Sequence, residues 1–181
     1  MKIVGIDLAG NPKNETGFCV LEVNHDKFVS TEILYSDSEI IKRLNEVNPE
    51  VVAIDAPLIF SGNTRKCDDL LREYGTLPVT LRGMVILANR GSELAKNLSK
   101  KFKLIEVFST ATAKILGIYD KDERVMQKNL LNSGITGDIE KKFLLRDELD
   151  AIFAALTGYL YLNKETEAVG DEKGIIIIPK I

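Results

Sequence analysis

The sequence predicts a mixed α/β fold in which one sheet opens with antiparallel strands, continues with parallel strands alternating with helices, and is covered by helices on both faces. Three observations predict it. Apolar runs at 2–8, 17–24 and 27–35 follow one another with only turns between them. Continuous apolar runs at 51–55 and 103–108 then alternate with helical patterns, as buried parallel strands do. Finally, 181 residues, 45% hydrophobic and 28% charged, make an ordinary globular balance with enough chain for one sizeable core.

Each element has its own signal. The first strand runs into Ala9-Gly10-Asn11-Pro12-Lys13-Asn14, a stretch dense in turn formers. Asn24-His25-Asp26 joins the next two strands as a hairpin. Residues 36–47 place Ile40, Ile41, Leu44 and Val47 at helical spacing behind the cap candidates Ser36, Asp37 and Ser38, and Asn48-Pro49 stops that helix. After the strand at 51–55, Ala56-Pro57-Leu58 leads to a polar loop, Ser61-Gly62-Asn63-Thr64. Helices are expected at about 65–74 and, from Met84, Leu87, Leu94 and Leu98, at about 83–99. Beyond the strand at 103–108, two short helices fill 109–133, with breaks at Gly117 and Gly134. One long helix is expected from about 139 to 162, and a last strand at 174–179. No repeat, low-complexity stretch or linker interrupts this order. The expectation is a single domain over 1–181, with 109–138 as a helical insertion into its core fold.

Composition narrows the chemistry. No apolar run approaches the roughly 18 residues that span a bilayer, so no membrane partner is expected. Met1-Lys2-Ile3-Val4-Gly5 runs straight into a strand without the features of a signal peptide, which points to the cytoplasm. Cys19 and Cys67 make no paired or zinc-type spacing and read as reduced, buried thiols. The single histidine, His25, sits in a turn. A Ser-His-Asp hydrolase and a histidine-ligated zinc enzyme are therefore disfavoured. The net charge of −3 argues against a protein that grips long nucleic acid mainly through its phosphates.

The acids carry the functional signal. Asp7 and Asp55 end two apolar strands, where an unpaired charge is costly. If those strands are adjacent and parallel, both carboxylates emerge at the carboxyl edge of the sheet, where ligands of open α/β sheets bind. Taken singly, each reads more simply as a turn or helix cap. In the last helix Leu149, Ile152, Phe153, Leu156 and Leu160 make the apolar stripe. Asp147 and Asp150, three apart, share another face with the small residues Ala151, Ala154 and Gly158. That face reads equally as a surface or as a site that closes on a sheet. Four converging carboxylates would repel unless cations were present, and hard ions such as Mg²⁺ or Mn²⁺ prefer oxygen donors.

These residues resemble a known group. Gly5-Ile6-Asp7, a turn, and Thr16-Gly17-Phe18 look like the first hairpin of RuvC-like Holliday-junction resolvases and the wider ribonuclease-H-like superfamily. A closer resemblance is to domain-of-unknown-function family 429, described as predicted nucleases of ribonuclease-H-like fold. It rests on an ordered set: Gly5-Ile6-Asp7-Leu8-Ala9, then Ala53-Ile54-Asp55-Ala56-Pro57-Leu58, and Arg65-Lys66-Cys67-Asp68 with Arg72. Glu106-Val107-Phe108 with Leu116-Gly117 follows, then Arg146-Asp147-Glu148-Leu149-Asp150-Ala151, and Gly174 to Pro179. Ser109 stands where relatives are expected to carry proline. The resemblance implies a three-layer α/β/α ribonuclease-H-like fold and Asp7, Asp55, Asp147 and Asp150 as ligands of Mg²⁺ or Mn²⁺. It also implies hydrolysis of nucleic-acid phosphodiesters with two metal ions, DNA or RNA being undetermined.

Secondary candidates stay open. Glu106 is either a further site acid or the partner of a lysine at the sheet edge. Arg65, Arg72 and Arg82 flank the loop after Asp55 and either contact substrate phosphates or pair with Asp68, Asp69 and Glu73. Lys96, Lys100, Lys101 and Lys103 form a solvated helix end or a nucleic-acid track. Two rival functions remain beside the nuclease. One is a non-catalytic member that binds nucleic acid or a protein. The other, less favoured because it needs two domains, is a nucleotide-binding protein of the actin and sugar-kinase type. A homodimer is compatible with the sequence, although no dimer seam is visible in it.

Overall fold

The computed structural model describes residues 1–180 and has a six-stranded mixed sheet at its centre. Strands β1 (Lys2–Asp7), β2 (Thr16–Val23) and β3 (Lys27–Leu34) form an antiparallel meander. Helix α1 (Asp37–Val47) follows, its N-terminus capped by the Ser36 hydroxyl, which accepts the Glu39 N–H, while the Glu39 carboxylate accepts the Ser36 N–H. Strand β4 (Val51–Asp55) then returns beside β1, parallel to it, and β5 (Leu104–Glu106) pairs parallel with β4. Helices α2 (Lys66–Leu70) and α3 (Arg82–Leu98) lie between those two strands in sequence. The 109–138 stretch holds α4 (Ser109–Ile115), α5 (Glu123–Asn132) and a short strand, β6 (Ile135–Gly137), that pairs parallel with β3. The sheet order is β5-β4-β1-β2-β3-β6.

Both faces are covered, so the strands bury every second residue in each direction. Ile3, Cys19, Leu21, Val51 and Ala53 face one core with the last long helix, α7 (Arg146–Leu162). Val4, Ile6, Phe18, Val52 and Ile54 face a second core with Ile40 and Leu44 of α1 and Leu94 and Leu98 of α3. This is the predicted three-layer architecture. Two glycines set how closely α7 settles on the sheet. A Cβ at Gly5 would overlap the Ala151 carbonyl oxygen and the Ala155 nitrogen, and one at Gly17 would overlap the Asp147 carbonyl. Backbone therefore rests directly on backbone where α7 begins.

The structure departs from the expected elements in four places. The helix expected over 139–162 is two helices, α6 (Asp138–Lys141) and α7. Side chains from elsewhere stabilise the break. The Gln127 amide donates to the carbonyls of Ile139 and Lys142 and accepts the Leu144 N–H, while Glu148 accepts the Leu145 N–H and pairs with Lys142. The helix expected over 65–74 stops after Leu70 and resumes as one 3₁₀ turn, Arg72–Tyr74. The strand at 174–179, β8 (Gly174–Pro179), pairs with a strand not foreseen, β7 (Thr166–Asp171), in a separate hairpin. Among the described residues one isolated parallel bridge, Val107 to Ile177, joins that hairpin to the chain just after β5. β6 was also not foreseen, being only three residues long. Among the described residues no helix is long and apolar enough to cross a membrane.

Candidate functional site

Asp7 and Asp55 are register partners at the carboxyl ends of the adjacent parallel strands β1 and β4. Adjacent strands lie about 4.8 Å apart, so the two carboxyl groups start from neighbouring backbone positions. On the other side, Asp7 is the register partner of Gly17, where the missing side chain admits the Asp147 carbonyl. Asp147 and Asp150 thus begin α7 directly over the end of β1. Ser109, the first residue of α4, closes the arrangement. Its N–H donates to Asp55 Oδ2 at 2.9 Å, and its hydroxyl donates to the Asp150 carbonyl at 2.8 Å. A proline at this position would supply neither donor.

The electrostatics are those of crowded, half-hidden acids. Burial pushes the Asp7 carboxyl well above the usual range, and the charges of Asp55, Asp150 and Asp147 push it further, against a smaller opposing pull from Arg146. Burial raises Asp55 to about 7, against the stabilising Ser109 N–H, and Asp150 adds to the rise. Asp147 is raised by burial and by Glu15 and Glu123. Asp150 is raised by burial against the pull of Arg146. Arg146 Nε donates to Asp150 Oδ2 at 2.8 Å, whereas the other oxygen, Oδ1, is buried with no hydrogen-bond partner. Buried polar atoms are rarely left so, and this one suits a cation.

Among the described residues no group of three or more His, Cys, Asp or Glu side chains is set to hold a metal ion as it stands. The donor chemistry nevertheless fits a hard cation. All four side chains offer carboxylate oxygen, their mutual repulsion is what a divalent ion relieves, and Asp150 carries an oxygen without a partner.

The secondary candidates fall in different places. Glu106 is buried and its partner is an arginine, not a lysine. Arg65 Nη1 lies 2.8 Å from Glu106 Oε1, and the Leu58 N–H donates to Glu106 Oε2 at 2.8 Å. Burial lifts Glu106 to about 7 against the pull of Arg65. Arg65 is itself buried and is also held by Asp68 at 2.7 Å, so its guanidinium is shared between two carboxylates. Arg72 is exposed and bonded to Asp69 at 2.6 Å. Arg82 is exposed at the start of α3. Lys96, Lys100, Lys101 and Lys103 gather at the other end of α3 and before β5, away from the carboxyl edge that carries the acids. Glu15 and Glu123 were not singled out from the sequence; Ser109 stood out there only as a departure from an expected proline, and Arg146 only within the matched set, although its i,i+4 spacing to Asp150 was a further signal.

The profile of the family described as "Protein of unknown function (DUF429)" matches residues 5–134. No curated protein sequence matches the chain. Among the solved structures similar to it are two of RuvC. The Thermus thermophilus RuvC structure superposes with a TM-score of 0.55 and 14% identity, covering 96% of this chain and 99% of that one. T. thermophilus RuvC in complex with a Holliday junction substrate gives 0.57 and 13%, covering 91% and 96%. The likeness is one of fold alone: a mixed-sheet α/β architecture similar to that of RuvC.

Proposed function

We propose that this chain, which belongs to the family of proteins of unknown function DUF429, is a metal-dependent nuclease that hydrolyses nucleic-acid phosphodiesters. The observation that carries the reading is the crowding of Asp7, Asp55, Asp147 and Asp150 at one sheet edge, with a buried oxygen of Asp150 left unpartnered. Acids so placed, on a fold shared with RuvC, favour an ion-binding site over four separate caps. Mg²⁺ or Mn²⁺ is the expected ion, with those four aspartates as its ligands. When bound, such ions polarise a water and stabilise the oxygen that leaves the phosphorus.

The chain's own residues do the rest. The Ser109 N–H fixes one oxygen of Asp55, and Arg146 fixes one oxygen of Asp150, whose other oxygen is left without a partner. Gly17 keeps α7 close enough for its acids to reach Asp7. Arg82, exposed where α3 begins, is the arginine best placed to meet a phosphate, because Arg65 is already held by two carboxylates. Two free, buried thiols, Cys19 and Cys67, suit a protein working in the reducing cytoplasm. The RuvC structure bound to a Holliday junction makes branched DNA one substrate to try, and a symmetric junction would call for a homodimer.

The test is a cleavage assay with Mn²⁺ and with Mg²⁺ on single-stranded, duplex, hybrid and branched substrates, run beside Asp7→Asn. At least one substrate is cut by the wild-type chain, a chelator stops the cutting, and the variant loses at least a hundredfold in rate. Equal cutting by the variant, or no cutting of any substrate, rejects the reading.

A further inference from the structure

Beside the acids lies a cleft of about 200 Å³ whose walls are unlike those of a phosphate site. Asp7 and Asp55 line one part of it, so it is continuous with the proposed centre. Its other walls include Pro57, Leu77, Met84, Leu87, Phe108 and Ile176. Arg65 is the only cation among the lining residues, and Asp68 and Glu106 hold its guanidinium between them. No free guanidinium or ammonium is offered along the cleft. A phosphate would meet two carboxylates at one end and satisfied ions within. Yet Leu77 is 54% exposed, and Met84 and Phe108 are only half-buried, so apolar surface stands open next to the most charged part of the molecule.

Resting on the nuclease reading, we infer that this cleft receives the base of a nucleotide next to the scissile phosphodiester, and that the substrate class is nucleic acid with an unpaired nucleotide at that point. A base is the uncharged, flat part of the strand, and it stacks favourably on aromatic and apolar side chains. Phe108 supplies a ring, and Leu77 and Met84 of the opposing loop and helix supply apolar contact. A base inside a duplex presents neither face to a protein and must be unstacked and unpaired before it can enter such a pocket. Single strands, loops and the branch points of junctions meet the requirement at no such cost.

Binding tests this separately from cleavage. Oligonucleotides carrying one fluorescent 2-aminopurine are titrated with the full chain in Ca²⁺, an ion that fills oxygen sites, as single strands and as blunt duplexes of the same sequence. The expected result is a change in the analogue's emission on binding the single strand, and single-strand affinity at least tenfold above that for duplex. Leu77→Gln, at an exposed position, and Met84→Gln, at a half-buried one, each weaken single-strand binding about tenfold and leave the Mn²⁺-induced rise in melting temperature unchanged. Equal affinity for duplex, wild-type binding by both variants, or a change in oligomeric mass in place of a change in binding overturns the inference. Cleavage that continues while both variants bind normally removes the base pocket alone. Single-strand binding that depends on Leu77 and Met84, with no cleavage of any substrate, supports the pocket and removes the nuclease reading instead.

Discussion

Asp7 is held among three other carboxylates, and that placement has a thermodynamic sign. A buried acid whose pKa is raised in the folded state binds its proton more tightly there than in the unfolded chain. Stability is then greatest below the unfolded pKa and falls as pH climbs through the folded one. For Asp55 the window runs from its ordinary 3.8 to about 7, and Asp7, Asp147 and Asp150 shift in the same direction. The metal-free protein should therefore lose melting temperature between about pH 4 and pH 7, and Mn²⁺ should restore it at the upper end. A flat profile, or no response to Mn²⁺, would contradict the crowding. For the same reason Asp7→Asn should melt higher than wild type at pH 7.5 without metal, by about 2–4 °C for each kcal/mol of repulsion relieved, while losing its response to Mn²⁺. Arg146 gives a second prediction. It holds one oxygen of Asp150 and leaves the other without a partner, which on the proposed reading is the role of an outer-shell partner of a metal ligand. Arg146→Gln should weaken Mn²⁺ binding about 10–100-fold by calorimetry, with partial recovery in Arg146→Lys. Tighter binding by Arg146→Gln would mean that the guanidinium competes with the ion.

The site depends on where α7 docks, and that docking depends on an absent side chain. Gly17→Ala should cost about 1–3 kcal/mol by overpacking, measured by chemical denaturation. It should also lower Mn²⁺ affinity, because the strain falls where Asp147 and Asp150 begin. A stable variant with normal Mn²⁺ binding would show that the close approach is dispensable. These elements differ in how legible they were. β1, β4 and the acids at their ends could be read because a continuous apolar run ending in a charge is a local pattern. The Asp147 and Asp150 pair could be read because small residues share its helix face. The break before α7 could not, since it is held by Gln127, a residue from a different helix. β7 carries exposed Glu167 and Ala168 and the positive-φ Gly170, so no alternation marks it. The pairing of Glu106 with Arg65 spans 41 residues of chain, and the partner expected from the sequence was a lysine at the sheet edge.

Across the whole molecule, α7 packs on both the meander and β4 of the six-stranded sheet. We take residues 1–181, with the 109–138 stretch as an insertion, to be one folding unit. Calorimetric and circular-dichroism melts should then coincide in a single transition, whereas a separate transition for the helical stretch would divide the chain. The sheet also tapers. Its inner strands β4, β1, β2 and β3 are five to eight residues long, but the strands at its two margins, β5 and β6, have three each, and the β7–β8 hairpin lies against the β5 side. A margin that short offers few unsatisfied backbone groups for another chain to zip onto. Three-residue margins are poor seeds for strand exchange through β5 and β6, so concentrated, metal-free protein should stay dispersed through freezing and storage even while its acids repel one another.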